Sequence, residues 1–483
     1  MKYIKGKKRE EKILFPESLD EYISEENPVR FIDAYVEYVE NGENAENEGQ
    51  EEKERGSEAE TGRPPYDPAD MKKLFIYGYL NNIRSSRKLE REAGRNVEIM
   101  WLIGKLKPDY KTIADYRKNN LTAIKRMCKR FMEICKKMEL FGGELLAVDG
   151  SKFRAVNNKS RNYNEEKLQK AIKGIAGKID EYIKEIAEED NKQTAAEKPL
   201  TAAELTKKIA ELKERGEKYK KYQEKLKESG ESQISLTDAE SRSMTTRQGT
   251  DVCYNVQSVV DEKHKLIVAM DVTNEGNDQW QLSRMAKAAK TELGVEEIAV
   301  VADNGYYNGA EVKECEEAKV KCYIPKANTS ANKKLGLYGK EEFIYDSERD
   351  SYQCPGKAEL TYRYTTIESG RETRYYTTSA CKSCLLKAQC TRSKENRRIT
   401  RWVNEEVLER MQERMKAEPE KYKKRKAMVE HPFGTMKRWM DQGYFLMKGL
   451  EKVRAEFSLS VLSYNIKRVI TIMGVKQMIL ALT

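Results

Sequence analysis

Glu144-Leu145-Leu146-Ala147-Val148-Asp149 is the stretch on which the fold of this chain turns. Four apolar residues in succession, closed by an aspartate, have the content of a buried strand, and Gly150 is expected to end it. A carboxylate therefore stands at a strand tip. Ile298-Ala299-Val300-Val301-Ala302 repeats the arrangement and ends on Asp303 before an Asn304-Gly305 turn. Further strand patterns fall at residues 252–260 and 266–272, joined by a hairpin turn over 261–265, and at residues 322–325. Helical patterns at 279–293 and 310–318 alternate with them, so the centre of the chain reads as α/β.

Outward from this centre the composition changes. Residues 164–232 contain almost nothing but Lys, Glu, Ala, Ile, Leu and Gln at helical spacing, as expected of a helical hairpin or coiled-coil-like insertion. On the N-terminal side, a helix is expected over 28–39 behind a Ser24 cap, followed by a Glu/Asn/Gly-rich stretch over 41–62 that cannot bury a core and reads as a mobile loop. Short helices are then expected over 70–80, 86–93 and 97–103, with a last one capped near Asp109 or Thr112 and running to Lys137. Their spacing resembles a helix-turn-helix region, which places Arg84, Arg87, Lys88 and Arg117 on DNA; the plainer alternative is a solvated helical face. On the C-terminal side, residues 343–379 alternate Tyr, Thr and charge like exposed hairpins, and a long basic helix pattern runs from Asn404 through Glu430.

A chain of 483 residues exceeds what one hydrophobic core fills, so several structural units are expected. The balance of 90 Lys and Arg against 80 Asp and Glu, net +10, suits a polyanionic partner without demanding one. The first fifteen residues are basic but lack a secretory apolar stretch, and the apolar run over 469–482 is interrupted by Lys476, so a cytoplasmic, nucleoid-associated protein with no membrane partner is expected. Two histidines, His264 and His431, exclude a His-rich metal site.

Widely spaced carboxylates suggest one chemistry in particular. Phosphodiester cleavage and strand transfer need an activated water or hydroxyl and neutralisation of the leaving oxygen, which a pair of divalent cations supplies through hard oxygen ligands. Asp149 and Asp303 at neighbouring strand ends, with Glu430 on a later helix, would provide them. Lys437 follows Glu430 by seven residues, almost two turns along the same helical face, where a scissile phosphate would lie.

The residues around these three carboxylates carry a resemblance. Leu146-Ala147-Val148-Asp149-Gly150-Ser151-Lys152-Phe153, Val300-Val301-Ala302-Asp303-Asn304-Gly305-Tyr306-Tyr307 and Val429-Glu430-His431-Pro432-Phe433-Gly434-Thr435-Met436-Lys437-Arg438-Trp439 resemble the signature blocks of bacterial insertion-sequence DDE transposases. Leu14-Phe15-Pro16, Asn27-Pro28-Val29-Arg30, Arg63-Pro64-Pro65-Tyr66, Ile76-Tyr77-Gly78-Tyr79, Ser85-Ser86-Arg87-Lys88 and Pro108-Asp109-Tyr110-Lys111 look like that family's N-terminal domain. The resemblance implies an RNase H-like core, excision and insertion of a mobile element, and Asp149, Asp303 and Glu430 as ligands of two Mg2+ (or Mn2+) ions. It also implies Lys437 and Arg438 on DNA, double-stranded element ends and target DNA as partners, and a homodimer. In the family pattern Tyr and Arg precede the Glu by seven and four residues; here those positions hold Lys423 and Lys426, with Tyr422 and Arg425 displaced by one. Helical geometry puts Lys426 on the face of Glu430, as a DNA contact, and leaves Arg425 without an assigned role. His431 reads as a packing residue.

Cys381-Lys382-Ser383-Cys384 has the spacing of a zinc knuckle, Cys390 follows, and Cys354 precedes in a Cys-Pro-Gly turn, so four thiolates could hold a structural zinc; the alternative is partly buried free thiols. The expected plan is a helical DNA-binding region (1–135), a core (136–163 and 233–326) split by the helical insertion (164–232), a β insertion with the cysteines (327–400), and C-terminal helices with Glu430 (401–483). Two rival functions share this plan: a catalytically inactive transposase-derived DNA-binding protein, and a metal-dependent nuclease without strand transfer.

Overall fold

The computed structural model describes residues 18–47, 64–189, 202–326, 331–368 and 370–483; the basic start of the chain, the motif residues Leu14 to Pro16 and Arg63, and most of the expected loop over 41–62 lie outside these. Helices α1 (Pro28–Asn47), α2 (Pro68–Leu80), α3 (Ser86–Ala93), α4 (Val97–Leu102), α5 (Tyr110–Asn119) and α6 (Leu121–Lys137) open the chain. Helix α1 runs eight residues past the expected Val39, and its start is capped by Asn27, whose side chain accepts from the Val29 amide at 3.0 Å, rather than by Ser24. The single helix expected up to Lys137 breaks at Asn120, which separates α5 from α6.

The chain then forms β1 (Leu145–Arg154), β2 (Asn162–Asn164), α7 (Glu165–Glu189), α8 (Ala202–Ser229), β3 (Gln233–Ser235), β4 (Arg242–Thr246), β5 (Gly249–Asp261), β6 (Ile267–Thr273), α9 (Leu282–Leu293), β7 (Ile298–Val301), α10 (Gly309–Glu317) and β8 (Val320–Tyr323). The central sheet has the spatial order β6-β5-β1-β7-β8, with β4 on β5 as well. β5 is antiparallel to β1 and β6, whereas β1, β7 and β8 run parallel. Gly150 does not end β1. The strand continues to Arg154 because β5 pairs with it throughout, from Leu146 opposite Asp261 to Arg154 opposite Cys253. The repetitive segment forms the antiparallel pair α7 and α8, closed by its own small core of Leu168, Ile175, Tyr219 and Leu226 and standing on the two-stranded β2–β3.

Beyond α11 (Ala331–Lys334), the strands β9 (Ile344–Asp346), β10 (Ser351–Gln353), β11 (Glu359–Glu368) and β12 (Arg371–Thr377), the short α12 (Lys387–Cys390), and β13 (Arg398–Trp402) build a second, antiparallel sheet around Tyr352, Leu360 and Tyr376. The last elements are α13 (Glu405–Ala417), α14 (Pro419–Gly434), a π-helical turn (Thr435–Trp439), α15 (Leu450–Met473) and α16 (Val475–Leu480). Pro419 cannot continue the ladder of α13, so the long helix expected from Asn404 is two.

Helix α15 explains why the N-terminal helices are not a separate body. Val453, Phe457, Val461, Leu462, Tyr464 and Ile466 are all buried and spread around its circumference, so one side meets β6 and the other meets α2 and α6. α1, α2, α6, β5, β6 and α15 share one hydrophobic core. A smaller core, Leu145, Ala147, Ala299 and Val301 against Met428 and Val429, lays α14 across β1 and β7. That contact positions the site.

Candidate active site at the paired aspartates

Asp149 lies in β1, and Asp303 stands two residues past the end of β7, the parallel strand beside it. Asp303 caps a 3-10 turn, its Oδ1 accepting from the Gly305 amide at 2.8 Å. This leaves Oδ2 directed at a cation: Arg425 Nη2 stands 2.9 Å from Asp149 Oδ1 and 3.4 Å from Asp303 Oδ2. Burial pushes the Asp149 carboxyl up to about 6; the guanidinium opposes the shift, and Asp303 and Asp278 add to it. Arg425 Nε is buried and has no hydrogen-bond partner among the described residues.

Glu430 is placed differently. It is 64% exposed, and its described ion pair is with Lys426 at 4.0 Å. Helical geometry accounts for the separation: five residues along an α-helix is a rotation of about 140°, so a helix that presents Arg425 to the aspartates carries Glu430 to its flank. Among the described residues no group of three or more His, Cys, Asp or Glu is placed to hold a metal ion. The structure thus brings Asp149 and Asp303 together and leaves Glu430 outside the pair. Lys426 sits on Glu430's face, as expected, but Arg425 takes the position at the aspartates.

Lys437 is not one straight helical face beyond Glu430, because the π-helical turn widens the winding after Gly434. Its ammonium donates to Ser151 Oγ at 2.6 Å and to the Lys152 carbonyl at 2.7 Å, two and three residues past Asp149. Burial lowers it to about 8. Arg438 is exposed beside it. His431 pairs Nδ1 with the Tyr464 hydroxyl at 2.9 Å.

On the opposite face of β1 lies a polar network that the sequence reading missed. Tyr306 donates to Gln257 Oε1 at 2.5 Å, while Gln257 Nε2 and Asn255 Nδ2 both donate to Asp278 Oδ1 at 2.7 Å. Lys152 Nζ adds a charge at 3.5 Å. Gly150 is what lets this network pass: a Cβ there would meet Gln257 Nε2 at 2.5 Å and Asp278 Oδ1 at 2.7 Å. The signal was two amide residues at alternate positions of a largely apolar strand, Asn255 and Gln257, both fully buried.

The basic residues expected on DNA divide into two sets. Arg87 and Lys88 are exposed on α3. Arg84 and Arg117, at 5% and 6% exposure, are interior residues instead of a solvated face. Arg84 donates to the Tyr444 and Asp441 carbonyls at 3.0 and 2.8 Å and faces the buried Glu456 at 3.7 Å, and Arg117 donates to the Arg84 carbonyl at 3.2 Å. The four cysteines of the second sheet, Cys354, Cys381, Cys384 and Cys390, are free thiols around one cavity of about 20 Å³ shared with Phe343, Leu360 and Leu386. They form no metal-holding group among the described residues, so zinc gains no support.

Two family descriptions match the chain, a "Transposase domain (DUF772)" over residues 17–119 and a "Transposase DDE domain" over residues 353–470. These two matches, each over less than half of the chain, indicate an insertion-sequence DDE transposase. The second match contains Glu430 and Lys437, while the strands with Asp149 and Asp303 lie between the two. No curated protein matches this transposase. The cryo-EM structure of a piggyBac transposase synaptic complex with hairpin DNA aligns with 95% of the transposase and 79% of its own chain, at 10% identity and a TM-score of 0.32. Among the described residues no helix of the transposase is long and apolar enough to cross a membrane.

Proposed function

We propose that this transposase excises and inserts a mobile DNA element by phosphoryl transfer, with Asp149, Asp303 and Glu430 as its catalytic carboxylates and a homodimer holding the two element ends. The observation that carries the reading is the shared cation: Asp149 in β1 and Asp303 just past the parallel β7 converge on one guanidinium, which supports reading the space between them as a cation site. The order β6-β5-β1-β7-β8, antiparallel on one side of β1 and parallel on the other, supports an RNase H-like core.

Two Mg2+ (or Mn2+) ions bound there would activate the attacking water or hydroxyl and neutralise the leaving oxygen. Asp149 Oδ1 and Asp303 Oδ2 are hard donors already directed at one positive charge, and in this reading they hold the ions once Arg425 withdraws. Glu430 joins them by a turn of α14 about its axis; Pro432 within the helix and the π-helical turn after it are the places where the backbone can give. Lys437 and Arg438 hold DNA phosphates beside β1, and the exposed Arg87, Lys88 and Lys426 extend the contact.

A second reading, a DNA-binding protein without cleavage, is favoured by the outward position of Glu430. Incubating full-length protein and Mg2+ with a DNA fragment carrying the element's terminal repeats separates the readings. Cut and joined products support transposition, cut products alone a nuclease, and a shifted but intact fragment the inactive form.

A further inference from the structure

Two cavities adjoin the far end of β1. One, of about 630 Å³, is lined by Arg154, Lys159, Asp251 and Tyr444 among others; the second, of about 390 Å³, shares Lys159 and Val252 with it and reaches Lys167 at the base of α7. Both lie in the range of roughly 300–1,000 Å³ typical of clefts for small ligands. They are too small for a duplex, whose major groove alone is about 12 Å wide.

The charge of the joined cleft is one-sided. Arg154, Lys159 and Lys167 face a single lining carboxylate, Asp251, whose Oδ1 is held by the Val252 amide at 2.9 Å. Lys167 is engaged with the Lys159 and Asn162 carbonyls, both at 2.6 Å, but the Arg154 and Lys159 side chains are exposed and make no ion pair among the described residues. The aromatic wall is built in. The backbone around Tyr444 is stitched to the end of β1, with Arg154 N donating to the Gly443 carbonyl at 3.1 Å and Phe445 N to the Arg154 carbonyl at 2.9 Å. Its ring is backed by the Arg84 guanidinium, 4.4 Å from the centroid. Arg84, expected on DNA, thus fixes the ring that lines the cleft.

An aromatic ring beside cations that make no ion pair among the described residues, at an open cleft, is an arrangement suited to a nucleic-acid strand without its complement. Arg154 follows Asp149 by five residues of the same strand, about 17 Å, and its side chain leaves the opposite face of β1. We propose that this cleft takes one or two unpaired nucleotides of the DNA strand beside the reacting phosphate, with a base on Tyr444 and phosphates on Arg154 and Lys159. The proposal rests on the transposase reading above.

The test is fluorescence anisotropy of full-length protein with a blunt duplex and with the same duplex bearing a short single-stranded tail. Wild type is expected to bind the tailed duplex about tenfold more tightly, the scale of one stacked base. Tyr444→Ala and the double variant Arg154→Gln, Lys159→Gln should each reduce that preference to parity, whereas Tyr444→Phe keeps it. Should Tyr444→Ala fail to fold, the double surface variant still decides the question. Equal binding of both DNAs by wild type, or a preference that survives the double variant, overturns the cleft and leaves the transposase reading standing. Binding to no DNA overturns both.

Discussion

Arg425 and Asp149 form an ion pair of 2.9 Å in which the arginine also reaches Asp303 at 3.4 Å, so one side chain of α14 neutralises both aspartates of the central sheet. The Arg425 and Asp149 side chains are 17% and 20% exposed and that of Asp303 is 41% exposed, so removing the cation leaves two carboxylates facing each other with only partial solvent screening.

We therefore expect Arg425→Ala to lower stability without divalent ions by about 1–3 kcal/mol, a value below that for fully buried pairs because solvent reaches the site. Mg2+ should then raise the melting temperature of the variant more than that of wild type, since the ion fills the place the guanidinium left. Thermal melts with and without Mg2+ measure this. Equal shifts in both proteins would mean that the space between the aspartates is no metal site.

Gly150→Ala should misplace Asp149 through the network beneath it. The added methyl meets the Gln257 amide, the Asp278 carboxylate and the Tyr306 hydroxyl within 3.1 Å, and overpacking of this kind costs about 1–3 kcal/mol. Cleavage is expected to fall further than stability accounts for, measured at a temperature where the variant remains folded by circular dichroism.

Arg84 and Arg87 are three residues apart and should behave as opposites. Arg84→Ala leaves the buried Glu456 without its cation and should cost about 3–5 kcal/mol, with little rescue by Lys, which cannot reproduce the two-carbonyl contact. Arg87→Ala should leave the denaturation midpoint nearly unchanged and reduce the salt dependence of DNA binding by about one unit of slope. Urea melts beside gel shifts at several salt concentrations distinguish the two. Because the N-terminal helices share the core of α15, point substitutions are the proper probes here; deleting residues 1–135 would expose that core.

Lys437 titrates at about 8 because it is buried, while an unfolded lysine titrates near 10.4, so between these values the unfolded chain binds the extra proton and stability rises with pH. The ammonium charge is present below about pH 8 and lost above it. The salt slope of DNA binding by wild type should accordingly drop between about pH 7 and about pH 9, whereas Lys437→Met should show a smaller slope that does not change over that range. A parallel decline in both proteins would assign the pH dependence to another group.

The parts of this molecule that were legible in the sequence were those carried by local pattern. Apolar runs ending in Asp149 and Asp303 marked β1 and β7, and the Lys/Glu/Ala/Leu segment marked α7 and α8. What stayed hidden depended on tertiary partners. Gly150 reads locally as a strand end, yet β5 holds β1 together beyond it and the glycine makes room for Asp278. Arg84 and Arg117 read as surface charge until Glu456, the Tyr444 carbonyl and the Phe75 ring appear around them. Straight-helix arithmetic linked Glu430 to Lys426 correctly, but it failed for Lys437 because a π-helical turn intervenes. The cysteine spacing fits a zinc knuckle, and the four thiols do line one small cavity, but they form no metal-holding group among the described residues.

The measurement closest to the centre of this account is the rate of Mg2+-dependent strand cleavage at an element end by Asp149→Asn, Asp303→Asn and Glu430→Gln, beside their DNA affinities. Loss of one carboxylate from a two-metal site removes several kcal/mol of transition-state stabilisation, so each variant should cut at least about a thousandfold more slowly while binding the same DNA as tightly as wild type. A Glu430→Gln protein that cuts and joins at the wild-type rate would remove Glu430 from the site. The same result for Asp149→Asn would contradict the account as a whole.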